Sequence, residues 1–208
     1  MRGRRAIAGI LAVGLGLATG CGAIKRCAYS GPGRDAWQQP ERVVAELEIR
    51  GGERVADLGA GGGYFTFRLA DAVGPEGTVY AVDVDADMVS YLQERAEEEA
   101  RANVVPVLAA FDDPKLPEAV DLIFSTNTYH HMQDQSAYFA RAAGALRPGG
   151  RIAIIDLSDM GFFHRLFGAH STPASVIRSE MEAAGYREVE RHDFLSRQNF
   201  LIFSRAAQ

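Results

Sequence analysis

Apolar and polar positions follow one another in blocks that switch between helical and extended periods. Pro40 suits the first position of a helix, and Val43, Val44 and Leu47 recur behind it at helical spacing until Gly51-Gly52 breaks the run. Residues 54–58 form a short apolar run of strand length. A glycine cluster follows, then helical spacing from about 64 to 73. Residues 78–82 read as a second strand closing on Asp83. Asp85 is placed to cap a helix to about 102, whose exposed face carries Glu94, Glu97, Glu98 and Glu99. Residues 104–108 and 120–125 give the third and fourth strands, the latter unbroken in its apolar core like a strand covered on both faces. A helix over about 135–146 stops at Arg147-Pro148-Gly149-Gly150, and residues 152–155 are the fifth strand, ending at Asp156. A last helix over 173–184 closes at Gly185.

Strand and helix alternate through the first five strands, which predicts a parallel sheet with right-handed crossovers. The final strands, 189–194 and 200–203, are joined by only five residues, too few for a crossover, so they pair antiparallel. The expected fold is α/β: a doubly wound, mostly parallel, seven-stranded Rossmann-like sheet with a C-terminal antiparallel hairpin. A chain of 208 residues suits one such domain, placed over 40–208.

The N-terminus differs in kind. Arg2, Arg4 and Arg5 precede the apolar stretch 6–17, and Ala18-Thr19-Gly20 ends at Cys21, the order of a secretory signal peptide. The apolar stretch is short for a membrane span, which needs about 20 residues. Ala-Thr-Gly-Cys also resembles the lipobox of bacterial lipoproteins, in which the cysteine is lipidated. Residues 1–21 are therefore read as a signal or lipoprotein-type membrane anchor and 22–39, rich in Gly, Ser and Pro, as a linker. The expected location is the cell envelope, with a cytoplasmic product as the alternative. Cys21 and Cys27 are the only cysteines and lie before the domain, so no disulfide framework is expected in it. No HExxH-like spacing occurs among the histidines, and no metal is expected. The net charge of −5 comes with no basic stripe, which argues against a nucleic-acid partner.

The chemistry concentrates after the first strand, in Asp57-Leu58-Gly59-Ala60-Gly61-Gly62-Gly63-Tyr64. Ligands of open α/β sheets bind at the carboxyl ends of strands where the winding reverses, and bare glycines let backbone approach them. This segment resembles the first motif of class I S-adenosylmethionine-dependent methyltransferases, the methyltransferase type 11/25-like domains, and the resemblance extends from about Pro40 to Phe203. A nicotinamide-dinucleotide fingerprint would place Gly where Tyr64 stands. The resemblance implies S-adenosylmethionine as cofactor, with Asp57, Gly59, Ala60, Gly61, Gly63 and Tyr64 along its methionine and ribose portions. Asp83, closing the second strand, can accept both ribose hydroxyls, with Val84 beside it. Asp112 or Asp113, after the third strand, would take the adenine amino group, although Asp-Asp-Pro is also a turn sequence. Asn127 and the following residues to His131 fall past the fourth strand, near where the methyl group would leave sulfur.

The implied reaction transfers a methyl group to a small-molecule acceptor. His130 and His131 are the candidate general bases, because neutral imidazole can take a proton near neutral pH. His170 and an apolar cluster of Phe162, Phe163, Leu166 and Phe167 are weaker acceptor-side candidates, and Tyr29 and Trp37 could close over the site. Two other readings stay open: a nicotinamide-dependent oxidoreductase, and a protein that binds S-adenosylmethionine without catalysis.

Overall fold

In the computed structural model residues 33–158 and 171–206 are described. Cys21, Cys27, Tyr29, His164, His170, the 162–167 cluster and the signal-like segment lie outside them. Seven strands, β1 (Arg54–Leu58), β2 (Thr78–Asp83), β3 (Val104–Leu108), β4 (Val120–Thr126), β5 (Leu146–Leu157), β6 (Tyr186–His192) and β7 (Gln198–Arg205), form one sheet. Their order is β3-β2-β1-β4-β5-β7-β6. The first five strands are mutually parallel. β7 pairs antiparallel with both β5 and β6, so it alone is reversed, and it fills the slot between them. The expected α/β sheet with its terminal hairpin is therefore present. The winding reverses between β1 and β4, which places a crevice at their carboxyl ends.

Helices α1 (Arg34–Gln38), α2 (Pro40–Glu46), α3 (Thr66–Val73), α4 (Ala86–Glu98), α5 (Gln135–Ala142) and α6 (Ala174–Ala183) flank the sheet. Strand side chains alternate between two apolar layers. Val55, Val79, Leu122, Phe124, Ile155 and Phe200 meet Val43, Phe67, Leu69 and Leu92 of α2 to α4 and Leu47 just past α2. On the other face Ala56, Leu58, Ile123, Ile152, Ile154 and Leu201 meet Tyr138, Phe139, Ile177 and Met181 of α5 and α6. Coverage on both faces explains why β4 and β5 are apolar without alternation. Arg151 ties the layers below, donating to the Leu47 carbonyl at 2.7 and 3.2 Å and to Glu53 at 3.1 and 3.3 Å.

Four boundaries differ from expectation. Residues 34–38, read as linker, form α1, and Gln38 within it is fully buried. The helix is held by tertiary contacts that no local pattern announces. The Tyr64 hydroxyl donates to Asp35, the Arg34 guanidinium lies 3.7 Å over the Tyr64 ring, and Gln39 donates to the Phe194 carbonyl at 3.1 Å. The second difference is at Arg147-Pro148-Gly149-Gly150, which is not a turn. β5 already begins at Leu146, and the pairing jumps from Val120–Leu146 to Leu122–Arg151, with Gly149 at φ 80° absorbing the irregularity. Third, α5 ends at Ala142, and a short 3-10 turn over Ala143–Ala145 leads into that strand. Fourth, β6 starts at Tyr186 rather than 189. It is an edge strand rich in Arg and Glu, so burial pins it at few positions, among them Tyr186, whose hydroxyl donates to the Phe139 carbonyl at 3.0 Å.

Candidate functional site

The bend after β1 is built from backbone. Gly59 and Ala60 both donate to the Val82 carbonyl, at 2.8 and 3.1 Å, which folds the loop over the end of β2. Gly59, Gly61 and Gly63 have φ of 73°, 52° and 79°. At Gly59 a Cβ would lie 2.1 Å from Thr128 Oγ1, so the missing side chain is what lets the loops after β1 and β4 close together. Asp83 locks this arrangement. One carboxylate oxygen accepts from Gly61 N at 2.8 Å and the other from Asp85 N at 3.0 Å. Asp85 in turn caps α4 through Asp87 N, as expected.

Between these loops lies a cavity of about 420 Å³, within the range of small-molecule sites. Gly59, Asp83, Val84, Asn127 and His131 line it, with Leu58, Val82, Thr128, Met132 and Tyr138. Its far side is Ala109, Ala110 and Phe111. Phe111 is 80% exposed, an unusual state for so large an apolar ring. Asp112 and Asp113 do not line the cavity. Asp113 accepts from Lys115 N at 2.8 Å and the Asp112 carbonyl from Arg141 at 3.0 Å, so the segment behaves as the turn its composition permits. The residues reaching the cavity there are the apolar ones directly past β3, whose place at the strand end was the available signal.

Asp57, Ala60, Gly61, Gly63 and Tyr64 support the bend without lining the cavity. Asp57 is buried at the end of β1 and accepts from the Thr66 hydroxyl at 2.6 Å. Burial pushes its carboxyl up to about 6; the Thr66 bond opposes this, the Asp83 charge adds to it, and Arg34 opposes it again.

The loop after β4 supplies the remaining wall. Asn127 sits at φ 55°, its amide donating to the Ile155 carbonyl at 2.8 Å and its side-chain oxygen accepting from Gln198 at 2.7 Å. The rings of His130 and His131 stand 4.0 Å apart between centroids. His131 faces the cavity, whereas His130 turns to Asp156, its Nδ1 lying 2.7 Å from Oδ1. Asp156 and Gln198, which sequence reasoning did not connect to this loop, reach it only in the folded sheet: Asp156 through the parallel pairing of β5 with β4, and Gln198 through the insertion of β7 beside β5. Among the described residues, no group of three or more His, Cys, Asp or Glu is placed to hold a metal ion.

The cavity suits a nucleoside: a carboxylate for sugar hydroxyls, apolar Leu58, Val84 and Phe111 for a flat ring, and a bend that tolerates no side chain at Gly59. Comparison with known proteins agrees. A family model described as a methyltransferase domain matches residues 49–192. The arsenite methyltransferase of Halobacterium salinarum is 30% identical over 150 residues, 67% of this chain and 38% of that one. The aklanonic acid methyltransferase of a Streptomyces species is 32% identical over 54% of this chain and 51% of its own length. The chain thus spans about half or less of these relatives. Among solved structures, a SAM-dependent methyltransferase from Aquifex aeolicus superposes with a TM-score of 0.77 at 25% identity, over 86% of this chain and 96% of that one. The chain belongs to the methyltransferase-domain family, and its fold is that of the class I S-adenosylmethionine-dependent methyltransferases.

Proposed function

We propose that this protein transfers a methyl group from S-adenosylmethionine to a small-molecule acceptor. The observation that carries this reading is the cavity at the winding reversal, with Asp83 at its edge and the side-chain-free bend of Gly59 forming its floor. When bound, the cofactor supplies an activated methyl group on sulfur, and the protein supplies alignment and a dry pocket. In this reading Asp83 accepts the ribose hydroxyls, Val84 and Phe111 cover the adenine, and Asp57 with the glycine bend holds the methionine end. The loop carrying Asn127, His130 and His131 takes the acceptor side. Phe111, with Ala109 and Ala110, replaces Asp112 and Asp113 as the expected adenine neighbour.

Calorimetry with S-adenosylmethionine and its demethylated product S-adenosylhomocysteine tests the binding. Labelled-methyl incorporation into cell-extract metabolites tests the transfer. Binding without incorporation would leave a non-catalytic binder, and oxidation of reduced nicotinamide by the purified protein would move the assignment to an oxidoreductase.

We further propose that residues 1–21 export or anchor the protein, with Cys21 as the lipidated residue. The support is the order of charge, apolar run and small residues. No described helix is long and apolar enough to cross a membrane. Cell fractionation, with mass spectrometry of the mature N-terminus, tests it: a lipidated Cys21 is expected, and an intact Met1 in the soluble fraction would overturn it.

A further inference from the structure

Asp156 stands at the carboxyl end of β5, fully buried, and its Oδ2 has no hydrogen-bond partner among the described residues. Its Oδ1 meets Nδ1 of His130 at 2.7 Å. A buried carboxylate satisfied on one side only is a poor packing element, so the pair asks for a chemical reason. As a carboxylate Asp156 only accepts. In the neutral ring Nδ1 therefore carries the proton and Nε2 the lone pair. Nothing among the described residues hydrogen-bonds that Nε2. The neighbouring Tyr129 hydroxyl does not compete for Asp156, because it donates to Glu180 at 2.6 Å. The His130 ring packs against His131, itself part of the cavity wall.

We propose that Asp156 is a positioning residue that fixes His130 as the general base, and that the acceptor is a hydroxyl compound. The inference rests on the methyl-transfer reading above. A hydroxyl holds its proton near neutral pH and gains from a positioned base, whereas an amine with a free lone pair or a thiolate does not need one. As the acceptor oxygen forms its bond to the methyl carbon, the S–C bond breaks and its electron pair stays on sulfur as a neutral thioether. The hydroxyl proton passes to Nε2 of His130. The resulting imidazolium, stabilised by Asp156, returns that proton to water.

The test reads the ring nitrogens of His130 by 15N NMR in protein saturated with S-adenosylhomocysteine. The neutral ring is expected to be protonated at Nδ1 and bare at Nε2, and Asp156→Asn is expected to move protonation to Nε2, with Asp156→Glu restoring the original form. A wild-type ring protonated at Nε2, or a tautomer unchanged in Asp156→Asn, overturns the dyad. Should Asp156→Asn fail to fold, the wild-type spectrum still decides. In labelled-methyl incorporation, His130→Gln should lose about 10²–10⁴-fold while retaining S-adenosylhomocysteine binding within a few-fold. A loss below tenfold, or a product methylated on nitrogen, sulfur or carbon, rejects the proposal. Absence of S-adenosylhomocysteine binding by the wild type would instead reject the underlying reading.

Discussion

Replacing Gly59 by Ala should be disproportionately costly, and the structure says by how much. The new Cβ would lie 2.1, 2.5 and 2.8 Å from Thr128 Oγ1, Cγ2 and Cβ, on a residue whose φ is +73°. The left-handed backbone alone costs about 1–2 kcal/mol with a side chain present. Displacing a packed neighbour adds about 1–3 kcal/mol. Gly52 provides the control, since its φ is +86° but no atom lies within 4 Å of its Cβ position. Gly52→Ala should therefore show only the backbone share. The difference, about 1–3 kcal/mol, is read by urea denaturation at fixed pH, or as about 2–12 °C in Tm for a domain of this size. Thr128→Ala removes two of the three colliding atoms, so the double variant should recover about 1 kcal/mol relative to additivity. Equal destabilisation by Gly59→Ala and Gly52→Ala would refute the claim that closure of the β1 and β4 loops requires a bare Cα.

Asp57 sets a pH dependence. Its folded-state carboxyl is raised to about 6 from the ordinary aspartate value of 3.8, so the folded state favours the protonated form. The stability this contributes is full below about pH 3.8 and is lost as pH rises through 6, a change of about 3 kcal/mol. Asp57→Asn should flatten the stability profile between about pH 4 and 7 in urea titrations; a parallel profile would contradict the burial argument. Asp83→Ala should weaken S-adenosylhomocysteine binding by about 10–100-fold in calorimetry, the worth of hydrogen bonds to a charged group, and an unchanged Kd would remove the ribose assignment. Arg151→Ala frees the Leu47 carbonyl and Glu53 together and should cost about 1–3 kcal/mol without altering cofactor affinity, as denaturation and calorimetry in parallel would report.

What could be read from the sequence was whatever local chemistry determines. The apolar runs of β1 and β4, the Asp85 cap and the glycine bend are set within a few residues, and each is found in place. Side chains whose position depends on distant chain were harder to see. Helix α1 begins in a glycine- and proline-rich stretch with no periodicity, and distant residues, Tyr64, Arg68 and Phe194 among them, hold it in place. Asp156 looked like the end of a strand, and its pairing with His130, 26 residues away, exists only in the folded sheet. The absence of Asp112 and Asp113 from the cavity wall has a geometric cause. Chemical type favoured Asp112 and Asp113, but distance from the end of β3 brings Ala109, Ala110 and Phe111 to the cavity instead.

The placement of β7 has a bearing on biogenesis. Because residues 198–205 occupy a gap between strands made earlier, a growing polypeptide that has not yet released them leaves β5 without a neighbour on that side. Gln198, which steadies Asn127, belongs to the same late segment. A nascent chain therefore acquires both its finished sheet and the support of the loop after β4 only when this keystone emerges from the ribosome.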